Sequence, residues 1–188
     1  MTQTEQTVDR AVPDSWRDRL ANGELEPALT SYLRFGPEEP GVQTTLEDLH
    51  ALLNLVRSKA FARAERMLEQ LDNRPDWFDW NGFENSFRAL RDAAAAVDER
   101  EPDRCEELLN DVTHVLFRAE AANMRGTALI FRGEFEAARE QFDQALLIDP
   151  KHYRAVTNLG NAALEAGDLD GAITFYERAI SLNADFAN

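Results

Sequence analysis

The chain has 188 residues, of which 44% are hydrophobic, and it carries 35 acidic against 20 basic side chains. A net charge of −15 repels phosphate backbones and anionic membranes, so we expect neither a nucleic-acid nor a membrane partner. The single cysteine excludes an internal disulfide and fits a reducing compartment. No basic leader followed by an apolar segment and no run of about 18 apolar residues is present, so the sequence predicts a soluble, cytoplasmic protein.

The N-terminal part of the chain predicts an arm followed by a first pair of helices. Residues 1–12 are polar and lack periodic apolar positions, which indicates a disordered arm. Ser15 precedes Trp16 and is a typical helix-start residue. Asn22-Gly23 breaks this short helix, and a second helix follows and ends in the stretch 36–40, which contains glycine and two prolines.

A second helix pair is predicted between residues 44 and 75. Thr44 or Thr45 is expected to cap its first helix, with an acidic residue three positions later completing a capping box. Ser58-Lys59 forms the turn, and Pro75 follows the end of the second helix.

The middle of the chain contains a dense aromatic cluster. Trp77, Phe78, Trp80 and Phe83 are close enough in sequence to form a partner-binding patch. Large aromatic side chains at a junction between helices more often fill a core, and we favour that interpretation. Pro102 then suits the first position of another helix.

The last third of the chain repeats itself. Glycines and alanines recur at a spacing of 34 residues, as in the pairs Gly126/Gly160 and Ala138/Ala172. Within each unit two helices are predicted, and Gly133 suits the turn of the first unit because glycine adopts positive φ freely. A single helical hairpin cannot bury both faces, so such units must stack.

These residues resemble the tetratricopeptide repeat (TPR) family, whose pattern is W-x2-L-G-x2-Y, then A-x3-F, then P. Residues 119–188 are identified as two regular repeats, and residues 13–118 as divergent, TPR-like hairpins. The second unit departs from the pattern at Ala163, where the family prefers tyrosine. The resemblance implies an all-α, right-handed helical-hairpin (TPR) solenoid of about five helix pairs, whose concave groove holds a protein segment.

By position in the repeat, the resemblance assigns ten residues to this protein-binding groove. They are Asn123, Thr127, Ile130 and Phe131 in the first unit, and Arg154, Thr157, Asn158, Asn161, Leu164 and Glu165 in the second. The asparagine side chains either contact the ligand, or they are ordinary amides that cap a helix or face solvent. Arg125 stands where the family has a buried leucine, so its stem should pack while its head reaches water or an acid.

The sequence contains no motif for metal binding or catalysis. The three histidines, His50, His114 and His152, are scattered and lie in no metal-binding spacing. Cys105 falls at a helix-crossing position and is expected to be buried and inert. No phosphate loop or nucleophile elbow is present. We therefore expect no metal, no cofactor and no enzymatic activity.

Three functions remain open. The leading one is a cytoplasmic scaffold that binds a peptide or protein segment of unknown identity in the groove. The alternative is a self-assembling homo-oligomer, because no polar capping helix follows the last repeat. The residues expected to mediate that self-association are Ile173, Tyr176, Ile180, Leu182 and Phe186. The third is an acidic decoy for a basic partner, which rests on charge alone.

Overall fold

The structure is a computed structural model that describes residues 15–36 and 39–186, with side chains through residue 183. The predicted arm, residues 1–12, lies outside the described residues. Within those ranges the chain forms ten α-helices and no β-strand. The helices are α1 Trp16–Ala21, α2 Leu25–Phe35, α3 Val42–Arg57, α4 Phe61–Glu69, α5 Trp80–Asp98, α6 Pro102–Leu109, α7 Arg118–Arg132, α8 Phe135–Ile148, α9 Tyr153–Glu165 and α10 Leu169–Phe186. A 3-10 turn, Val115–Phe117, precedes α7.

Consecutive helices pack as five hairpins, α1/α2, α3/α4, α5/α6, α7/α8 and α9/α10. The hairpins are joined by contacts of α2 with α3, α6 with α7 and α8 with α9. The first helices of the last three hairpins also touch, since α5 contacts α7 and α7 contacts α9. This arrangement confirms the predicted all-α stack of helical hairpins.

Several helix ends form where local chemistry predicts them. Ser15 caps α1 through a capping box with Asp18. Pro102 occupies the first turn of α6, where its missing N–H leaves no partner unsatisfied. Gly133 ends α7 with φ of 78°, and Gly167 repeats this conformation after α9 with φ of 80°. The two equivalent glycines therefore set the same tight turn in both C-terminal hairpins.

The start of α3 differs from the prediction. The helix begins at Val42 after Gly41, which has φ of 82°, and Thr45 lies inside the helix with no exposed surface. The Thr45 hydroxyl donates to the Gly41 carbonyl at 2.9 Å and accepts from Asn73 Nδ2 at 2.8 Å. A partner 28 positions away in sequence therefore bonds Thr45, one of the two threonines that were expected to cap the helix.

The aromatic cluster of the middle section is core, as the favoured interpretation predicts. Phe78 and Phe83 are buried, and Phe83 lies 4.7 Å from Phe117 between ring centroids. Trp77 packs edge-on against Trp16 at 5.2 Å and ties the first hairpin to this core. Such ring pairs add stability beyond the apolar area they bury.

The core continues from these hairpins into α7, whose Met124 and Ala128 belong to the same buried cluster as Phe83. Arg125 behaves as predicted, because its guanidinium reaches an acidic side chain. Its Nε donates to Glu106 Oε1 at 3.2 Å, and its Nη2 donates to the Leu109 carbonyl at 3.1 Å. The arginine therefore links α7 to α6 instead of presenting a free cation.

A second, smaller buried cluster holds the two C-terminal hairpins together. It is built around Phe142, whose exposed fraction is 1%, with small residues from α7, α8 and α9 beside it. Gly126 faces the Phe142 ring so closely that a Cβ atom on residue 126 would overlap the ring carbons. Close contact between α7 and α8 therefore depends on glycine at this position.

The chain also makes contacts between its first hairpins and the α8–α9 turn. Lys151 Nζ lies 3.1 Å from Glu26 Oε2, and Arg57 forms an ion pair of 2.8 Å with Asp149. The Tyr153 hydroxyl donates to the Arg57 carbonyl at 3.2 Å. Residues about a hundred positions apart in sequence are thereby brought together.

Candidate functional site

A pocket of about 310 Å³ opens where the first helices of successive hairpins converge. We call it the A-helix pocket. Residues from the α3–α4 turn, α5, α7 and α9 line it: Lys59, Ala94, Val97, Met124, Thr127, Tyr153, Arg154, Thr157 and Asn158. Side chains three or four positions apart share one face of a helix, which explains why α7 and α9 each contribute in that spacing.

Four of the ten predicted groove residues line this pocket. Thr127 comes from α7, and Arg154, Thr157 and Asn158 come from α9. Both threonine hydroxyls donate to carbonyls of their own helices, Thr127 to Asn123 at 3.1 Å and Thr157 to Tyr153 at 3.0 Å. Their oxygens keep acceptor capacity for an incoming N–H group.

The structure corrects the prediction that Asn123 lines the groove, because its side chain has no exposed surface. Its Oδ1 accepts from Asn158 Nδ2 at 2.9 Å, and its own Nδ2 has no hydrogen-bond partner among the described residues. The residue therefore joins α7 to α9 and offers no surface to a peptide. Asn158 keeps one face toward the pocket while its amide is engaged by Asn123.

The remaining predicted groove residues lie outside the A-helix pocket. Asn161 is exposed, and its Oδ1 accepts from the Tyr176 hydroxyl at 2.8 Å. Ile130 packs against the second core cluster, and Phe131 is 39% exposed beneath the Arg100 guanidinium. The last two are on the surface of α9: Leu164, which is 47% exposed, and Glu165, which faces a separate pocket between α8, α9 and α10.

A buried charge network at the edge of the pocket was missed by the sequence reasoning. Glu120 is 4% exposed and accepts from Arg154 Nη1 at 2.6 Å. His152, 2% exposed, places Nε2 at 2.8 Å from the same carboxylate. A signal was present, since Glu120 and Arg154 are 34 positions apart and hold opposite charges at one repeat position.

The ionisation of Glu120 is set by these neighbours. Burial alone raises the pKa of a carboxyl group, because it penalises the charged form. The His152 imidazole, Arg154 and Arg57 outweigh that effect and hold the pKa of Glu120 below its ordinary value. The carboxylate is therefore charged at neutral pH and fixes the guanidinium of Arg154 at the pocket.

Comparison with known proteins identifies the class of the C-terminal segment. The family model for the tetratricopeptide repeat matches residues 123–185. Residues 123–185 are tetratricopeptide repeats. The sequence matches no curated protein.

The chain is also similar to several solved structures, among them two of MamA. One is titled "Crystal structure of MamA", with 18% identity, a TM-score of 0.46 and coverage of 91% of this chain and 96% of that one. The other, "MamA MSR-1 C2", has 18% identity, a TM-score of 0.44 and coverage of 90% and 93%. The assignment of residues 123–185 to the tetratricopeptide repeats comes from the family model.

The last TPR helix, α10, carries the residues predicted for self-association. Ile173 is 55% exposed and Ile180 is 70% exposed. Tyr176 and Leu182 are half-buried, and the Phe186 side chain lies outside the described residues. Two of the five predicted residues are therefore large aliphatic side chains that α10 presents to solvent.

No group of three or more His, Cys, Asp or Glu side chains among the described residues is placed to hold a metal ion. Burial raises the pKa of the Cys105 thiol to about 11, so it stays protonated at neutral pH. His114 packs between Phe78 and Phe83, and burial lowers its pKa. No described helix is long and apolar enough to cross a bilayer.

Proposed function

We propose that the protein is an interaction scaffold that holds an extended segment of a partner protein in the A-helix pocket. The observation that carries this proposal is that Thr127, Arg154, Thr157 and Asn158 meet at one pocket. These side chains supply both donors and acceptors, which suits contacts with the backbone of an extended peptide. Non-catalytic binding is the usual role of tetratricopeptide repeats, and nothing in this pocket requires a reaction.

The pocket keeps its shape through contacts that leave part of each side chain available. Arg154 gives one N–H to Glu120 and retains other donors of the guanidinium fork, with a fifth of its side chain exposed. Lys59, which also lines the pocket, pairs with Asp98 at 2.7 Å. A preorganised arginine loses less conformational entropy when a ligand binds, which favours this pocket over a flexible surface.

Replacing Thr157 by arginine tests the proposal. The larger side chain should fill the A-helix pocket while leaving the helix intact, because Thr157 is half-buried and bonds only its own helix. We expect affinity capture from the native cell to lose its specific partners. A matched control is Thr30→Arg, since the Thr30 hydroxyl makes the same bond to its own helix, at 2.9 Å, at an exposed position of α2. Capture of the same proteins by both variants would refute pocket binding.

A second candidate function, self-assembly, is favoured by the exposed apolar side chains of α10. Ile173→Glu combined with Ile180→Glu should convert any oligomer into monomers, because acidic side chains on both copies repel and cannot be desolvated cheaply. Leu147→Glu is the matched control, because Leu147 is 77% exposed on α8. Light scattering over a concentration series measures the outcome. A wild-type protein that stays monomeric at every concentration would exclude this candidate.

A further inference from the structure

A separate pocket of about 350 Å³ lies between the two C-terminal hairpins, and we call it the Ala163 pocket. It is lined by Phe135, Glu136 and Arg139 of α8, by Leu159, Ala162, Ala163, Glu165 and Ala166 at α9, and by Asp168 and Phe175 at α10. None of these residues lines the A-helix pocket. The two pockets therefore share no lining residue.

The Ala163 pocket lies where the last hairpin has a small side chain at one repeat position. The residue 34 positions earlier is Leu129, which is half-buried and packs against the second core cluster. In the last hairpin this position is alanine, flanked by Ala162 and Ala166. These small side chains leave an open space that is suited to an apolar group from outside.

An exposed aromatic side chain lies beside the pocket. Phe135, at the start of α8, lines the pocket and is 52% exposed. A solvent-exposed aromatic group at a pocket is typical of a surface that a partner covers.

The charges at the rim specify which partner fits. Glu136, Glu165 and Asp168 contribute three carboxylates, and Arg139 contributes the one cation among the residues lining this pocket. The chain as a whole carries a net charge of −15. An apolar side chain flanked by acids would be repelled here, whereas one flanked by lysine or arginine would be attracted.

We propose that the Ala163 pocket binds one large apolar side chain of a partner segment whose flanking residues are basic. The apolar side chain occupies the space above Ala163 and contacts Phe135 and Phe175. The basic flanks approach Glu136 and Glu165. Because the two pockets share no lining residue, this binding site operates whether or not a second segment occupies the A-helix pocket.

The test uses a fluorescent short peptide with one central tryptophan, lysines on both sides and otherwise glycine and serine. Two matched peptides replace the tryptophan by alanine or the lysines by glutamate. Of the three peptides, we expect only the one with both tryptophan and lysines to bind the full chain measurably in anisotropy titrations. Amide NMR shifts should cluster at Phe135, Ala163 and Phe175.

Two variants make the result specific. Ala163→Leu restores the side chain found at position 129, so it should weaken peptide binding by at least about tenfold, while the melting temperature stays equal or rises. Ala62→Leu adds the same bulk at an exposed position of α4 and should leave binding unchanged. Thr157→Arg should also leave it unchanged, which separates this site from the proposed A-helix pocket function.

The opposite outcomes would overturn the proposal. These are no binding of the tryptophan peptide, equal binding of the alanine peptide, or undiminished binding by Ala163→Leu. NMR shifts confined to Thr127 and Asn158 would assign the peptide to the A-helix pocket instead. A loss of self-association in Ala163→Leu without peptide binding would show that a second copy of the chain is the occupant.

Discussion

Substitution of Glu120 by alanine is expected to lower the free energy of unfolding by about 3 kcal/mol, the range for removing one partner of a buried ion pair. The carboxylate accepts from both Arg154 and His152 at a position that is 4% exposed. Without it, the guanidinium loses its acceptor and the imidazole is left buried without its partner. Urea unfolding followed by circular dichroism measures the loss.

The control for this experiment is Glu140→Ala, which removes a carboxylate from an exposed position of α8. Its effect should stay within about 0.5 kcal/mol, as for most surface substitutions. Equal destabilisation by both variants would show that the Glu120 network contributes nothing specific to stability.

The contribution of Glu120 should also depend on pH in a defined direction. Its pKa is held below the ordinary value in the folded chain. The stabilisation is therefore fully present above the pKa of the unfolded chain, about 4.3, and is lost as pH falls through the lower folded pKa. The difference in stability between wild type and Glu120→Gln should accordingly be constant near neutral pH and shrink below pH of about 4.

Substitution of Gly126 by valine is expected to destabilise the protein by about 3 kcal/mol or more, the upper end of overpacking effects. The added carbons would overlap the Phe142 ring, which is 1% exposed and enclosed by the second core cluster. Loss of a mid-helix glycine returns only about 1 kcal/mol of helix propensity. The clash therefore outweighs the gain, and thermal or urea unfolding should record a net loss.

The equivalent glycine in the next repeat offers an internal comparison. A Cβ on residue 160 would lie 2.7 Å from Tyr176 Cε1, but Tyr176 is half-buried and its ring has room to move toward solvent. Gly160→Val should therefore cost less, about 1–2 kcal/mol. A larger loss at Gly160 than at Gly126 would contradict the view that the rigidity of the facing ring decides the cost.

The parts of the fold that followed from the sequence depend on single residues with local effects. Gly133 ends a helix because it adopts positive φ, and Pro102 begins one because it lacks an N–H donor. The start of α3 did not follow: the helix begins at Val42, and Thr45, one of the two expected caps, bonds the distant Asn73 inside it. Local chemistry predicts an end only where no distant partner competes for it.

The sequence predicts which helix faces line the candidate site, but it does not predict which of their side chains are buried. Helical spacing places Thr157 and Asn158 on the face of α9 that lines the A-helix pocket. It cannot show how closely α7 approaches α9, and that approach buries Asn123. Glu120 and Arg154 occupy the same repeat position with opposite charges, so their pairing could have been predicted from the sequence. His152 lies in the turn before α9, where the repeat pattern gave no such signal.

The contacts of the α8–α9 turn with Glu26 and Arg57 affect how the chain unfolds. In an open solenoid each repeat touches only its neighbours, so the terminal repeat can fray while the others stay folded. Here separation of the last two hairpins from the rest also breaks the Arg57–Asp149 ion pair and the bond from Tyr153 to Arg57. The two ends of the array are thermodynamically coupled, and this coupling favours a single cooperative transition over stepwise loss of repeats.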